Sequence, residues 1–176
     1  GMPLGTTISD LRTGKKYVEQ TTRDKDKLDG LGFAWNRSAA MWNDVVIPSL
    51  EAYVAVYKNG NVPPGFVVPS EDPWPKQAWG KKLGKIFYLA RYQGSYFTHF
   101  GRDIEKLCQL GLELKLAPLA WKRHVAPLLV IYAELSGEGE VPDDFVIPSE
   151  APWEEKVWGV RLGLIVALNS HFMPRK

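Results

Sequence analysis

The chain repeats itself with a constant shift of 79 positions, and this internal repeat constrains its fold more than any other feature. Residues 62–74 return as residues 141–153, with the same Val-Pro, Phe-Val and Pro-Ser-Glu-x-Pro-Trp positions. Without a gap, the shift also relates the pairs Leu28/Leu107, Trp42/Trp121, Tyr53/Tyr132, Trp79/Trp158 and Gly84/Gly163. Such a pattern predicts tandem copies of one structural unit, stacked so that neighbouring copies bury a continuous core.

The same shift sets the predicted unit boundaries. Two units of about 79 residues cover 19–97 and 98–176. The residues before them match the end of a unit through the pairs Leu4/Leu83, Gly5/Gly84 and Arg12/Arg91. We therefore predict that residues 1–18 are the C-terminal helix of a truncated preceding repeat.

One helix of the unit is predicted to begin at Pro73. Asp72 is suited to cap the free backbone amides, and a proline in the first helical turn costs no hydrogen bond. Apolar residues at steps of three and four place one stripe on this helix: Trp79, Leu83, Ile86, Phe87 and Ala90. Gly80 and Gly84 lie on a flank of the stripe, where they would let another backbone approach closely.

Two further helices are predicted in each unit. A short helix is expected at 24–31 and 103–110, ending each time at a glycine that suits the left-handed residue after a helix. A longer helix is expected at 40–57 and 119–135. Pro48 and Pro127 fall at the same place in the longer helix and predict a kink or a broken first turn.

A proline-rich apolar stretch, Val62 to Ser70, follows the longer helix. Each proline disfavours helix in the residue before it, so the stretch is predicted to lie as an extended strap anchored by Phe66 and, in the second unit, Phe145. A short strand at 66–68 is an alternative, although the prolines argue against a central one. The predicted fold class is therefore all-α: a tandem helical repeat, or helical bundle, with an extended Pro-rich strap in each unit.

Composition excludes several classes of protein. Lys and Arg number 22 against 20 Asp and Glu, and the net charge of +2 is small for a dedicated nucleic-acid binder. No run approaches about 18 apolar residues and no basic-then-apolar leader is present, so we expect no membrane association and an intracellular location in an undefined compartment. The single cysteine, Cys108, excludes an internal disulfide and any multi-cysteine zinc site.

Residues suited to catalysis are sparse, so we expect no enzymatic activity, no cofactor and no metal site. His99, His124 and His171 fall at unrelated places in the repeat, whereas metal or nucleophile chemistry needs convergent geometry. Cys108 has no base beside it and is expected to be an unreactive, partly exposed thiol. The repeated acids lie at predicted helix starts and are explained as caps rather than as acid/base carboxylates: Asp24/Asp103 and Glu71/Glu150.

One predicted surface combines basic and aromatic groups. Lys81, Lys85, Tyr88 and Tyr92 share a helical face opposite the Trp79 stripe, and Lys82 and Arg91 lie on either side of it. This combination suits a phosphate backbone with stacked bases, although a solvated face of lysines has the same pattern. Arg12 and Arg161 are the repeat equivalents of Arg91 and Lys82 and are added to the candidate nucleic-acid-binding set. The repeated tryptophans are interpreted as core residues rather than as base-stacking platforms.

The equivalent face in the last unit is apolar. Val160, Leu164 and Ala167 replace Lys81, Lys85 and Tyr88. A face of this kind suits a further repeat, a protein partner or self-association through the C-terminal helix. A protein-interaction or scaffolding array is therefore the alternative to nucleic-acid binding.

Both units resemble the helicase-associated domain, a short three-helix repeat found in tandem. The resemblance rests on Leu28-x-x-Leu31-Gly32-Phe33-x-Trp35, Trp42, Tyr53, the turn x-Gly60-x-Val62-Pro63, Trp79-Gly80-x-x-Leu83-Gly84 and Arg91. It implies a helical fold and, since that family is presumed to bind nucleic acid beside or without a helicase motor, a nucleic-acid-binding role. The chain departs from the family in three ways. Asn59 and Glu138 stand where a histidine is frequent in the family, and no tryptophan follows Leu-Gly. The strap is also longer than in the family pattern.

Overall fold

The computed structural model describes residues 37–137 and 139–174. The chain divides into two compact units, residues 1–41 and residues 42–176. The α-helices are α1 (Arg37–Ala40), α2 (Ile47–Tyr57), α3 (Leu83–Tyr92), α4 (Phe97–Arg102), α5 (Ile104–Gln109), α6 (Pro118–Ala120), α7 (Ala126–Ser136) and α8 (Leu162–Leu168). The remaining helical segments are π-helical at Met41–Val46 and Trp121–Val125 and 3-10 helical at Lys76–Ala78, Glu155–Val157 and Ser170–Phe172.

The predicted all-α class is confirmed for the part of the chain that the structure describes. That part contains no strand, and its isolated bridge joins Gly60 to Leu112. The core of the second compact unit is built from large side chains of successive helices, among them Trp42, Leu50, Phe87, Phe100, Leu107 and Ile165. The interpretation of the tryptophans as core residues is confirmed for Trp42, Trp74, Trp121 and Trp153, which are buried.

Both prolines of the longer helix mark a change in its hydrogen bonding, while Val46 and Val125 keep right-handed helical angles and the chain stays helical. Pro48 is the second residue of α2, and Pro127 is the second residue of α7. In both places the preceding helical segment is π-helical. Because proline has no N–H, it fits the first turn of a new α-helix, and the wider π turn before it absorbs the break.

The short second helix is confirmed where the structure describes it. α5 covers Ile104–Gln109, within the predicted 103–110, and Gly111 follows with φ 78°. This left-handed value explains the glycine, because other residues pay a steric cost there. The predicted equivalent at 24–31, together with the helix predicted over 1–18, lies outside the described residues.

Both copies of the strap lack helix and strand, but each contains a turn, closed by the bond from the N–H of Phe66 to the carbonyl oxygen of Pro63 and by that from Phe145 to Pro142, each at 3.0 Å. The N–H of Val68 donates to the carbonyl oxygen of Lys81 at 2.9 Å, and the N–H of Gly80 donates to that of Val68 at 2.9 Å. Ile147 makes the equivalent pair of bonds with Val160 and Gly159, each at 2.9 Å. The strap therefore fixes the segment that leads into the next helix.

Aromatic rings anchor the strap at Phe66. Its ring lies 5.0 Å from the ring of Tyr53 and 5.4 Å from that of Trp74. On the other side of the strap, a Cβ at Gly84 would collide with the carbonyl oxygen of Pro63. The predicted close approach of another backbone is thus confirmed at Gly84, and the partner is the strap itself.

The helix predicted to begin at Pro73 is wrong in its first ten residues. α3 begins only at Leu83, after turns and the 3-10 segment Lys76–Ala78. Trp79 therefore lies before the helix, and its indole N–H donates to the carbonyl oxygen of Trp74 at 3.0 Å. Gly80, with φ 74°, separates this turn from α3, because that angle cannot occur inside a right-handed helix.

Candidate nucleic-acid interface

Two stacked tyrosines form the exposed side of α3. The rings of Tyr88 and Tyr92 lie 5.4 Å apart at an interplanar angle of 14°. Their exposed fractions are 39% and 44%, whereas Leu83, Phe87 and Ala90 of the same helix are buried. The spacing of four residues puts both rings on one helical face, so the helix presents a flat aromatic platform to solvent.

Arg91 lies beside this platform, and its guanidinium group packs over the ring of Phe87. Its guanidinium carbon lies 4.8 Å from the centre of the Phe87 ring. The buried Nε of Arg91 has no hydrogen-bond partner among the residues that the structure describes. Burial lowers the pKa of the Arg91 guanidinium, while Glu113 and Tyr88 act in the opposite direction. A cation with an unused donor therefore stands beside the aromatic platform.

A cleft of 210 Å³ joins α3 to the segment before α6. It is lined by Tyr88, Arg91, Tyr92, Lys115, Leu116 and Ala117. The N–H of Ala117 donates to the carbonyl oxygen of Arg91 at 2.9 Å, which fixes one wall of the cleft against the other. The cleft thus brings two cations and two aromatic rings to one place.

Lys115 is missing from the set predicted from the sequence. It alternates with Leu114 and Leu116, which are buried, while Lys115 is exposed. This period of two is typical of an extended segment with one buried face. The alternation was the signal available, but only the packing of this segment against α3 brings Lys115 to the cleft.

The three predicted lysines lie at the start of α3. Lys85 is exposed and stands three residues before Tyr88, on the same helical face. Lys81 and Lys82 are also exposed, but they precede the helix, so the prediction that Lys81 shares its face is wrong. Within residues 37–137 and 139–174, none of these lysines forms an ion pair.

Arg161 is not part of this surface. Its Nη1 lies 2.9 Å from Oε2 of Glu105. It lines a different cavity, of 390 Å³, together with Glu105, Cys108, Gln109, Asp143, Asp144, Phe145, Val146 and Leu164. The repeat equivalence with Lys82 therefore does not extend to a shared site, and Arg12 lies outside the described residues.

Two other cations, Arg102 and Lys106, have equivalents in the sequence repeat, Arg23 and Lys27, and both make contacts within the fold. Arg102 donates from Nε to the carbonyl oxygen of Trp158 at 2.8 Å and from Nη2 to that of Lys156 at 2.9 Å. Nζ of Lys106 lies 2.9 Å from Oε1 of Glu51. Arg102 and Lys106 therefore make contacts between segments of the fold, and neither lines the cleft beside Tyr88 and Tyr92.

The predicted apolar face of the last unit is not a single open surface. Val160 is fully buried, and a Cβ added to Gly101 would stand 2.7 Å from its Cγ1. It is buried because it precedes α8 and packs against α4, so the prediction that Val160 faces a partner is wrong. Leu164 is half-buried in the cavity beside Phe145, and Ala167 is exposed.

The histidines occupy separate environments. Burial lowers the pKa of His99, and the positive charge of Arg102 lowers it further, while the negative charge of Asp103 raises it. Burial also lowers the pKa of His124, whose ring stacks on Phe97 at 4.9 Å. In the described part of the chain no three His, Cys, Asp or Glu side chains converge on a point that could hold a metal ion.

Comparison of the chain with models of protein families, with curated proteins and with solved structures gave no match. Among the described helices, none has the length and apolar character needed to cross a bilayer.

Proposed function

We propose that this chain is a non-enzymatic tandem helical-repeat module that binds single-stranded nucleic acid along α3. The observation that carries the proposal is the exposed, stacked pair Tyr88 and Tyr92 beside a cleft with two cations. Bases of any sequence can stack on such rings, because every base has a π face. The lysines at the start of α3 supply positive charge for the phosphates that follow.

The repeat organisation is supported by features that recur with the shift of 79 residues. The π segments before Pro48 and Pro127 are one such pair. The strap bonds of Val68 and Ile147 are another. The collision that an added Cβ would make with strap backbone, at Gly84 and again at Gly163, is a third. Local structure of this kind follows from local sequence, so equivalent segments are expected to fold alike.

Specificity for sequence is not expected. The cleft offers rings and cations, and these groups recognise stacking faces and phosphates rather than base edges. A duplex hides its base faces, so the tyrosine platform favours single strands. The resemblance to the helicase-associated domain, a family presumed to bind nucleic acid, points in the same direction.

The test is an anisotropy titration with a fluorescent single-stranded oligonucleotide of about 16 nucleotides, repeated with a duplex and over a range of salt concentrations. Replacing Tyr88 and Tyr92 with Ala should weaken binding about tenfold or more, because each stacked base contributes about 1–3 kcal/mol. Replacing Lys85 and Lys115 with Ala should reduce the salt slope by about 1.4, at about 0.7 per phosphate contact on a single strand.

The matched control removes the same charge elsewhere. Lys76 and Lys156 are exposed lysines in the two 3-10 segments, and neither lines the cleft. The variant in which Lys76 and Lys156 are both replaced by Ala should keep the salt slope of oligonucleotide binding that Lys85 and Lys115 contribute to the parent protein. Equal losses in the two lysine variants, or no binding at low salt, would overturn the proposal.

A protein-interaction array is the second candidate function. The observation that favours it is on α7 rather than on the Val160 face. α7 exposes Val130 and Leu135, with exposed fractions of 57% and 55%. Exposed apolar side chains of this size can contribute to a surface that binds a partner.

A further inference from the structure

We propose that the cleft beside Tyr88 and Tyr92 binds the terminal phosphate of a single strand, so that the chain recognises a phosphorylated strand end rather than the interior of a strand. The inference rests on the proposed function, since it names the part of the nucleic acid that the same site takes. Three observations carry it: the unpaired guanidinium group of Arg91, the shape of the cleft and the cations that line it.

The guanidinium group of Arg91 lacks an acceptor. The side chain is half-buried, and its Nε is shielded from solvent without a hydrogen-bond partner. No hydrogen bond or ion pair joins Nη1 or Nη2 to a residue in the part of the chain that the structure describes. Buried donors are nearly always paired in folded proteins, so this group is suited to an acceptor that a ligand supplies.

A phosphate matches these donors in geometry. The guanidinium group carries five N–H donors in a planar fork, and two of them can bind two oxygens of one phosphate. The guanidinium carbon of Arg91 lies 4.8 Å from the centre of the Phe87 ring, which restricts the orientation of the fork. Because Nε is shielded, the edge formed by the two Nη atoms is the one that faces a ligand.

The cleft ends where its two walls meet. The N–H of Ala117 donates to the carbonyl oxygen of Arg91 at 2.9 Å, and α6, which begins at the next residue, packs against α3. The volume of 210 Å³ also lies below the roughly 300–1,000 Å³ of sites that enclose a small molecule. A strand therefore cannot pass through the cleft, and the group that enters it is one at which a strand ends.

The charge of the cleft favours a terminal phosphate over an internal one. Arg91 and Lys115 both line it, and within residues 37–137 and 139–174 neither forms an ion pair. An internal phosphodiester carries one negative charge, whereas a phosphomonoester carries about −1.5 to −2 at pH 7. Two cations balance the charge of the second group and exceed that of the first.

The carboxylate of Glu113 is the opposing charge at this site. Burial lowers the pKa of Arg91, and Glu113 acts in the opposite direction. Glu113 is exposed, and its Oε1 accepts a hydrogen bond from the backbone N–H of Lys115 at 3.1 Å. No ion pair joins it to Arg91 in the described part of the chain, so the fork stays free. Removing the charge of Glu113 should therefore strengthen binding of a phosphate.

The rest of the strand follows α3 away from the cleft. Arg91 and Tyr92 lie at the C-terminal end of this helix, and Lys85 lies about 9 Å nearer its start, at 1.5 Å per residue. With the terminal phosphate in the cleft, the adjoining base stacks on the Tyr88 and Tyr92 rings, and the next phosphates approach Lys85. A 5′-phosphate and a 3′-phosphate share this chemistry, and the experiment distinguishes them.

The test is a competition titration against the fluorescent oligonucleotide. The competitors are unlabelled single strands of about six nucleotides that carry a 5′-phosphate, a 3′-phosphate or hydroxyl groups at both ends. A phosphate at one of the two ends should tighten binding about tenfold, because charged hydrogen bonds to a guanidinium group are the strong ones. The end that gives this gain is the end that the cleft takes.

Four variants assign the gain to the cleft. Arg91→Lys keeps the charge but not the planar fork and should reduce the preference for the phosphorylated end to about twofold or less. Lys115→Ala, at an exposed position that folding does not require, should reduce it about threefold, and Glu113→Gln should increase it about twofold. Lys85→Ala is the matched control. It removes a cation outside the cleft and should weaken binding of all three strands by the same factor.

The outcomes separate this inference from the proposed function. Equal affinity for the three strands, or the same gain from a phosphate at either end, would refute end recognition while single-strand binding stands. So would an equal loss of the preference in Lys85→Ala and Lys115→Ala. If none of the strands binds at low salt, the proposed function fails and end recognition fails with it.

Discussion

Replacing Gly84 with Ala should destabilise the protein, although alanine is the better helix former. Gly84 is buried in the first turn of α3, and a Cβ there would collide with the carbonyl oxygen of Pro63 and crowd the backbone of Phe66. Both are backbone atoms of the strap, so a side-chain rotation cannot relieve the collision. The strap must move, and its bond from the N–H of Gly84 to the carbonyl oxygen of Phe66, 3.0 Å long, is strained or lost.

The size of this effect follows from three contributions. Overpacking a well-packed site costs about 1–3 kcal/mol. Loss of one backbone hydrogen bond adds about 0.5–1.5 kcal/mol, and the higher helix propensity of alanine returns about 1 kcal/mol. We expect the free energy of unfolding to fall by about 2 kcal/mol, which corresponds to about 4–8 °C in Tm for a chain of this length.

The assay is urea unfolding followed by far-UV circular dichroism, with Gly65→Ala as the control. A Cβ at Gly65 meets no atom within 4 Å, so this variant should unfold within about 0.5 kcal/mol of the parent. Gly80→Ala tests a different cause, since Gly80 has open space but a φ of 74°, and should cost about 1–2 kcal/mol. If Gly84→Ala is as stable as Gly65→Ala, the strap does not pack on α3 as described.

Two further predictions concern charge. Because burial lowers the pKa of His99 and His124 below their ordinary value of 6.5, the unfolded chain takes up protons more readily. The unfolding free energy should therefore be constant above about pH 6.5 and fall as the pH decreases toward the folded-state pKa values. Urea titrations of the variant in which His99 and His124 are both replaced by Gln should show a weaker fall. A fall equal to that of the parent protein would contradict burial of the two histidines as its cause. Arg161→Ala should leave oligonucleotide affinity unchanged. It should lower the unfolding free energy by about 1 kcal/mol or less, because the ion pair of Arg161 with Glu105 is largely exposed. Loss of oligonucleotide binding in this variant would show that Arg161 belongs to the binding surface.

Those elements of the fold were predictable that depend on the backbone chemistry of one residue or of its near neighbours in the sequence. The change in hydrogen bonding at Pro48 and Pro127 follows from the missing N–H of proline, and the end of α5 follows from the left-handed turn at Gly111. The start of α3 was not predictable in the same way. Trp79 continues the helical spacing of Leu83 in sequence, but the strap bonds hold the residues before Leu83 in a turn.

The candidate site divides along the same line. Tyr88 and Tyr92 share a helical face through their spacing alone, and Lys85 belongs with them for the same reason. Lys115 and Arg161 show the limit of this reasoning. Lys115 lines the cleft although it is distant from α3 in the sequence. Arg161 forms an ion pair with Glu105 instead, although the sequence repeat relates it to Lys82.

The sequence by itself determined the helical class, the positions at which proline changes the helical hydrogen bonding and the amphipathic character of α3, because each depends on residues within a few positions of one another. Only the tertiary structure decided which repeated residues are alike in their surroundings. Burial depends on the segments that pack from a distance, so equivalent residues can differ in it: Leu50 of α2 is fully buried, whereas Leu129 of α7 is only half-buried.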